Sequence, residues 1–393
     1  MTIDPAIQRA WEPITAIVAD NAARVIHAFS ESGLTAPDLA GTAGYGYDDR
    51  GRERLDRLVA RLFGAEAALV RSQWASGTHV LTTVLRGLLR PGDTLWIAGG
   101  PVYDTLNRFL YGPGRGCLPD LGVTVATLGL SAEGAPDWSS AAHQPGPTVV
   151  YAQRSRGYQE RPAWGPAQLA AIADQAHRLG ATVVVDNCYG EFTETEEPTH
   201  WGADLAAGSL LKNPGGGIAP TGGYVAGRRH LVEQVADALF APSLGLEIGP
   251  TGSYQRLMAQ GWFMAPTLVG EALMGAIYAR YLFDRAGYRV SPAPGNPQHD
   301  IVTAIDVGSA ERVMRFCRAV QAVSPVDAMA HPEPWRMPGY DHEVIMAAGG
   351  FVPGGSLELS ADAPLRPPYR VYLQGGLSRW HAVLAADAAL AAL

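Results

Sequence analysis

A chain of 393 residues, 47% of them hydrophobic and 17% charged, has the apolar material for a large buried core and does not read as disordered. Its formal net charge of -8 repels phosphate backbones and acidic membrane surfaces, so neither nucleic acid nor a membrane is an expected partner. The three cysteines, Cys117, Cys188 and Cys317, never fall in a CxxC spacing, which gives no sign of a disulfide framework or a metal site and fits a reducing cytoplasm.

The opening stretch, MTIDPAIQRAWEPITAIVADNAARVIHAF, has no cationic start followed by an apolar block and predicts an amphipathic helix, not a secretion signal. No apolar run reaches membrane-spanning length. From about Tyr45 onward helical and strand patterns alternate: ERLDRLVARLFG (helix), AALVRSQ (strand), HVLTTVLRGLL (helix) and DTLWIAG (strand). They continue through TVVYAQ (strand), PAQLAAIADQAHRLG (helix), ATVVVDN, AAGSLLK and GGYVAGR (strands). Such alternation implies a largely parallel sheet with helices on both faces. After LMGAIYARYLFDRAGYRV, expected as a long helix, the turn-rich SPAPGNPQHD leads to IVTAIDV, ERVMRFCRAVQAV and SLELSAD. The expected organisation is an N-terminal helical segment (1–40), a large domain (41–284) and a small α+β domain (285–393), with a site between the last two.

Four places carry chemistry. Asp186 ends an apolar strand, where ligands of a parallel sheet bind, although a lone Asp there also suits a turn cap. Lys212 ends a short apolar run before the glycine-rich NPGGGIAPTGG. A lysine so placed either lays its stem over apolar surface or becomes a nucleophile through its neighbours. Ser209, three residues earlier, could aim its hydroxyl at a phosphate. The Ser76-Gly77-Thr78 turn opens a helix whose first N–H groups attract an anion, with a plain Ser76 cap as the ordinary alternative. Tyr103 lies just beyond a strand, as a core ring or as a platform for a flat heterocycle. An anion cup, a platform, an acid for a pyridinium nitrogen and a lysine are together what pyridoxal 5'-phosphate (PLP) requires.

In this order these residues resemble fold-type-I PLP enzymes, specifically the methionine γ-lyase-like group also called the aluminium-resistance or cystathionine β-lyase-like family. The resemblance spans nearly the whole chain and is carried by GTAGYGYDDRGRERLDRL, ALVRSQWASGTH, VYAQRSRGY, VVVDNCYGEF, SLLKNPGGGIAPTGGYVAGR, GGSLELSADAPLRPPY and VYLQGGL. It implies the aspartate-aminotransferase fold, an α/β architecture with a mostly parallel seven-stranded sheet and a smaller α+β domain. It further implies Lys212 as Schiff-base lysine and catalytic base, Asp186 as partner of the ring nitrogen and Tyr103 as stacking ring. Gly77, Thr78 and Ser209, with Ser76 beside them, are implied as phosphate ligands. Tyr45 or Tyr47 looks like the tyrosine a neighbouring subunit lends to the phosphate, which would make a homodimer or homotetramer with shared active sites. Arg366 and Arg370 are the candidates for gripping a substrate α-carboxylate; Arg366 is preferred because PLRPPY carries the resemblance.

Methionine γ-lyases proper carry a cysteine next to the stacking tyrosine, whereas Tyr103 is followed by Asp104 and Thr105, so thiol-assisted selectivity for methionine is not expected. Cys188 reads as a buried structural thiol. Arg154 and Arg156 of QRSRGYQERPAW belong either to a substrate channel or to a solvated loop. The expected activity is α,γ-elimination or γ-replacement on an L-amino acid with a γ-leaving group. The alternatives are γ-substitution or cyclisation of S-adenosylmethionine with carbon–carbon bond formation, and transamination. A dehydrogenase reading lacks a G-x-G-x-x-G after the first strand, and a DNA-binding regulator sits badly with the acidic charge.

Overall fold

The computed structural model describes residues 3–141 and 143–393. Helices α1 (Pro5–Ser32) and α2 (Arg50–Leu62) precede β1 (Ala67–Arg71), α3 (Gly77–Leu88), β2 (Thr94–Ala98), α4 (Asp104–Tyr111) and β3 (Thr124–Thr127). A short hairpin, β4 (Gly129–Leu130) and β5 (Pro136–Asp137), leads to β6 (Val149–Gln153), α5 (Pro166–Arg178), β7 (Thr182–Asp186), β8 (Leu205–Ser209), β9 (Gly223–Gly227), α6 (Arg229–Leu239) and α7 (Gln255–Arg285). The remainder holds β10 (Val290–Ser291), β11 (Val302–Asp306), α8 (Ala310–Ala322), β12 (Val344–Ala348), β13 (Ser360–Pro364), β14 (Arg370–Gln374) and α9 (Arg379–Ala391).

The seven-stranded sheet runs β1-β9-β8-β7-β6-β2-β3. Strands β3, β2, β6, β7 and β8 are parallel neighbours, while β9 is antiparallel to both β8 and β1. Successive side chains of a strand point to opposite faces, and the core divides accordingly. Leu95, Ile97, Val149, Tyr151 and Val184 pack towards α3 and α6, while Trp96, Ala98, Val150, Ala152, Val183 and Val185 pack on Leu169, Ile172 and Ala176 of α5. Burial on both faces explains the unbroken apolar runs in these strands. The second sheet is antiparallel, ordered β10-β11-β14-β13-β12, and packs on α8 and α9.

Most expected elements form where the sequence puts them, with three differences. The strand in SLELSAD starts only at Ser360 and runs to Pro364, AAGSLLK leaves the sheet at Ser209, and the long helix runs from Gln255 to Arg285, starting earlier and ending sooner than expected, with Val290 in β10 instead. Elements α4, α6, α9, β3, β12 and β14 are additional to those expected.

Helix α7 is the spine that joins the parts. Three of its glycines lie where a neighbour touches backbone: a Cβ on Gly261 would sit 2.4 Å from the Gly215 carbonyl oxygen, one on Gly270 2.2 Å from Val18 of α1, and one on Gly275 2.5 Å from Ala382 of α9. Glycine in a helix interior costs roughly 0.5–1 kcal/mol against alanine, so close approach is what these positions supply in return. Gly216, at φ 58°, completes the seat from the other side, its absent Cβ 2.6 Å from the Gly261 carbonyl. The loop following Lys212 thereby rests backbone to backbone on α7. Gly261→Ala is expected to lower stability by about 1–3 kcal/mol through overpacking and to loosen cofactor retention, both read by thermal melts with and without added PLP. Gly146→Ala, whose Cβ would meet nothing within 4 Å, should change neither.

Candidate active site

A cavity of about 280 Å³ opens at the carboxyl ends of the parallel strands, in the crevice where such sheets bind ligands. The large sheet contributes Gln153 from the end of β6, Asp186 from the end of β7, Gly77 and Thr78 from the start of α3, Tyr103 and Lys212; the small sheet contributes Met346, Ser360, Asp362 and Gln374. Five of the residues expected from sequence, Lys212, Asp186, Tyr103, Gly77 and Thr78, thus face one space.

Asp186 is held at both oxygens. Tyr151 donates its hydroxyl to Oδ2 at 3.1 Å and the Cys188 N–H donates to Oδ1 at 3.1 Å, so the carboxylate is buried yet aimed. Burial, reinforced by Asp186, pushes the Tyr151 phenol well above its ordinary value and keeps it a donor. Lys212 Nζ lies 4.1 Å from the centre of the Tyr189 ring, a cation–π contact. Burial disfavours its ammonium, but Cys188, Tyr189, Asp186 and Glu191 outweigh that and raise Lys212 above the ordinary lysine value. Tyr189 and Phe192, at φ 69° and 60°, adopt a left-handed backbone that costs of order 1–3 kcal/mol each for such side chains, a strain typical of functional segments.

At the anion cup, Ser76 acts as the helix cap, its Oγ accepting from the His79 N–H at 3.1 Å. Thr78 Oγ1 is 2.6 Å from Thr105 Oγ1. Ser209 is buried beside Gly77: a Cβ on Gly77 would lie 3.5 Å from Ser209 Cβ and 3.7 Å from Cys188 Sγ and would fill the cup. Tyr103 is anchored through its N–H to Gln153 Oε1 at 2.8 Å, and its hydroxyl is hydrogen-bonded to that of Tyr340. A helix N-terminus, a ring, a carboxylate and a lysine around one cavity fit a flat, phosphorylated heterocyclic aldehyde.

Other expected residues lie outside the cavity. Tyr45 and Tyr47 are 72% and 55% exposed and pack on each other at 5.6 Å. Arg366 is exposed on the β13–β14 connection, where its charge is felt by Asp104 at the start of α4. Arg370 is buried and commits its guanidinium to Asp306, its register partner on β11, with Nη2 to Oδ2 at 2.9 Å. The QRSRGYQERPAW block is neither channel nor solvated loop at its arginines. Arg154 donates to Asn187 Oδ1 and the Gly190 carbonyl, each at 2.8 Å, and Arg156 donates to the Ser291 carbonyl of β10 at 3.0 Å, fastening the two sheets together. Cys188 is buried and lines the cavity; burial, then Asp186, pushes its thiol well up, which fits an inert thiol.

Several site residues escaped the sequence reading. Glu191 lay inside the VVVDNCYGEF string and was legible there as an acid in an apolar setting. Tyr340 and Asp362 come from far along the chain, where nothing local announces them. Glu191 accepts from the Tyr224 hydroxyl at Oε1, 2.9 Å, while Oε2 has no hydrogen-bond partner among the described residues. Burial, with Glu197 adding to it, pushes the Glu191 carboxyl up to about 8.

The mostly parallel sheet with a lysine loop at its crevice makes this an α/β enzyme of fold type I. The methionine gamma-lyase family model matches residues 2–393, and the chain belongs to that family. A carbon-sulfur lyase involved in aluminium resistance from Clostridium novyi NT superposes with a TM-score of 0.93 at 40% identity, covering 98% of this chain and 92% of that one. The uncharacterised protein YnbB of Bacillus subtilis is 38% identical over 97% of this chain and 92% of its own length. The L-methionine gamma-lyase of Pseudomonas putida is 32% identical over 49% of this chain and 45% of its own.

A carboxyl raised on folding stabilises the fold fully below its unfolded value and loses that contribution as pH rises through its folded value. Thermal stability of the wild type should therefore fall as pH climbs through about 8, and Glu191→Gln should flatten that fall. Parallel melting curves for the two proteins between about pH 6 and 9 would show that Glu191 is not the group concerned.

Proposed function

We propose that this chain is a PLP-dependent carbon–sulfur lyase that acts on an L-amino acid bearing a γ-leaving group, by α,γ-elimination or γ-replacement. The observation that supports it best is the convergence of Lys212, Asp186, Tyr103, Gly77 and Thr78 on one cavity at the sheet crevice. When bound, PLP supplies an electron sink for the negative charge that develops at the substrate Cα. Asp186, oriented by Tyr151, would pair with the ring nitrogen and hold its proton. The α3 N-terminus, Gly77, Thr78 and Ser209 would take the phosphate, and Tyr103 would stack on the ring. Lys212 would hold the cofactor covalently and, once the substrate amine has freed its own, would take the Cα proton; after passing that proton on, the same amine could take one from Cβ as the γ-substituent leaves. Tyr340 and Met337 line the same cavity from the small-sheet side.

The α-carboxylate partner in this reading is Arg366, since the Arg370 fork is occupied by Asp306. The active unit is at least a homodimer in which the exposed Tyr45 or Tyr47 reaches the partner's phosphate cup, and the division at residues 40 and 284 separates the helical, large and small parts. The enzyme works in the reducing cytoplasm, where its cysteines stay free; among the described residues no helix is long and apolar enough to cross a membrane and no cluster of metal-ligating side chains forms.

Product analysis tests the reading. Methionine or cystathionine should yield 2-oxobutyrate, ammonia and the corresponding thiol. Methylthioadenosine from S-adenosylmethionine with no oxo acid would indicate the bond-forming reaction instead, and a 2-oxo acid that retains its whole side chain would indicate transamination.

A further inference from the structure

With Lys212 and Asp186 engaged by the cofactor, one charged side chain remains among the described residues lining the cavity: Asp362 on β13. No arginine and no second lysine lines it. Asp362 Oδ2 accepts from Gln374 Nε2 at 3.0 Å, and no described side chain or backbone N–H donates to Oδ1. Burial pushes this carboxyl up to about 6, with Gln374 and Lys212 pulling it back. Its charge is felt by the phenols of Tyr103, Tyr340 and Tyr189, which line the same cavity, and Met337 and Met346 complete the wall.

Asp362 is half-buried in the cavity wall, and once the cofactor occupies Lys212 no other basic side chain among the described residues lines the cavity to meet its carboxylate; leaving it so is costly, and the cost grows when a neutral substrate displaces the water around it. A cation relieves that cost. Tyrosine faces attract weakly hydrated cations most when water is excluded, and thioethers adapt to a bulky neighbour without competing for it. A wall for an anionic or neutral polar group would instead carry donors, such as an arginine fork.

We infer that the Asp362 wall, with Tyr103 and Tyr340, selects substrates whose side chain carries a fixed positive charge, a sulfonium or an ammonium, over neutral thioethers. The inference rests on the reading of the cavity as a PLP and L-amino-acid site. It goes further by assigning the class of side chain.

Two pairs of amino acids separate charge from shape: S-methyl-L-methionine against L-methionine for a sulfonium, and S-(2-aminoethyl)-L-cysteine against S-propyl-L-cysteine for an ammonium. Dissociation constants are read from the change in cofactor absorbance of the holoenzyme, with kcat/KM where turnover occurs. The wild type should bind the charged member of at least one pair about tenfold more tightly, and whichever pair shows it identifies the cation. Asp362→Asn should bring that pair close to parity, and Asp362→Glu, which restores the charge, should recover part of the preference. The glutamate variant also guards against a mere loss of fold, checked by circular dichroism. Parity in the wild type, or a preference that survives Asp362→Asn, overturns the assignment and leaves Asp362 as a partner of Gln374 only. A cofactor band that responds to none of the four amino acids removes the amino-acid reading, and this inference with it.

Discussion

The seat of the lysine loop on α7 is the constraint on which the rest depends. Gly216 and Gly261 let two backbones meet at distances no side chain would permit, with the Gly215 carbonyl resting against α7 at Gly261. That contact fixes where Lys212 emerges from the end of β8 and points it into the crevice beside Asp186. The same helix receives α1 at Gly270 and α9 at Gly275, so one element sets the positions of the amino-terminal helix, the lysine and the small sheet together. A shift along α7 would therefore be felt at the site as well as in the core.

Electrostatics around Lys212 follow from that placement. Two buried glutamates stand behind the site. Glu197 is satisfied: it accepts from Asn187 Nδ2 at 2.9 Å and the Phe192 N–H at 3.0 Å, and lies 3.4 Å from Arg24 and 4.0 Å from Arg154. Glu191, with one oxygen unpartnered and Glu197 nearby, meets both desolvation and like charge, and the two effects point the same way, towards the neutral acid. Lys212 is governed by the opposite balance, because the polar groups around it, Asp186 among them, outweigh its burial. The fold thus sets Glu197 beside Arg24 and Arg154, holds Glu191 close to neutral at Tyr224, and aims Asp186 with two donors.

Much of this was legible in the sequence because it is local. Apolar runs buried on both faces marked the central strands, and the strand-end Asp186, the cup at Gly77 and Thr78 and the lysine before its glycines each sit where a parallel sheet presents them. What the sequence did not show is long-range. Asp362 and Tyr340 reach the cavity only because the small sheet packs over the crevice, and their neighbours in sequence look like ordinary strand and loop. Arg154 and Arg156 stand in a polar, glycine-containing string that reads as a channel wall or a solvated loop, yet their partners lie on β7's following turn and on β10. Just before the strand that starts at Ser360, the Glu358 carboxylate accepts from the Phe351 and Val352 N–H groups of the preceding loop.

Covalent attachment of the cofactor to Lys212 is the claim from which the site's other roles follow. Borohydride reduction of the purified holoenzyme, followed by proteolysis and mass mapping, tests it directly. A single pyridoxyl adduct on the peptide containing Lys212, absent from Lys212→Ala, is the result this account predicts. An adduct on a different residue, or none in a protein that retains PLP absorbance, would contradict it.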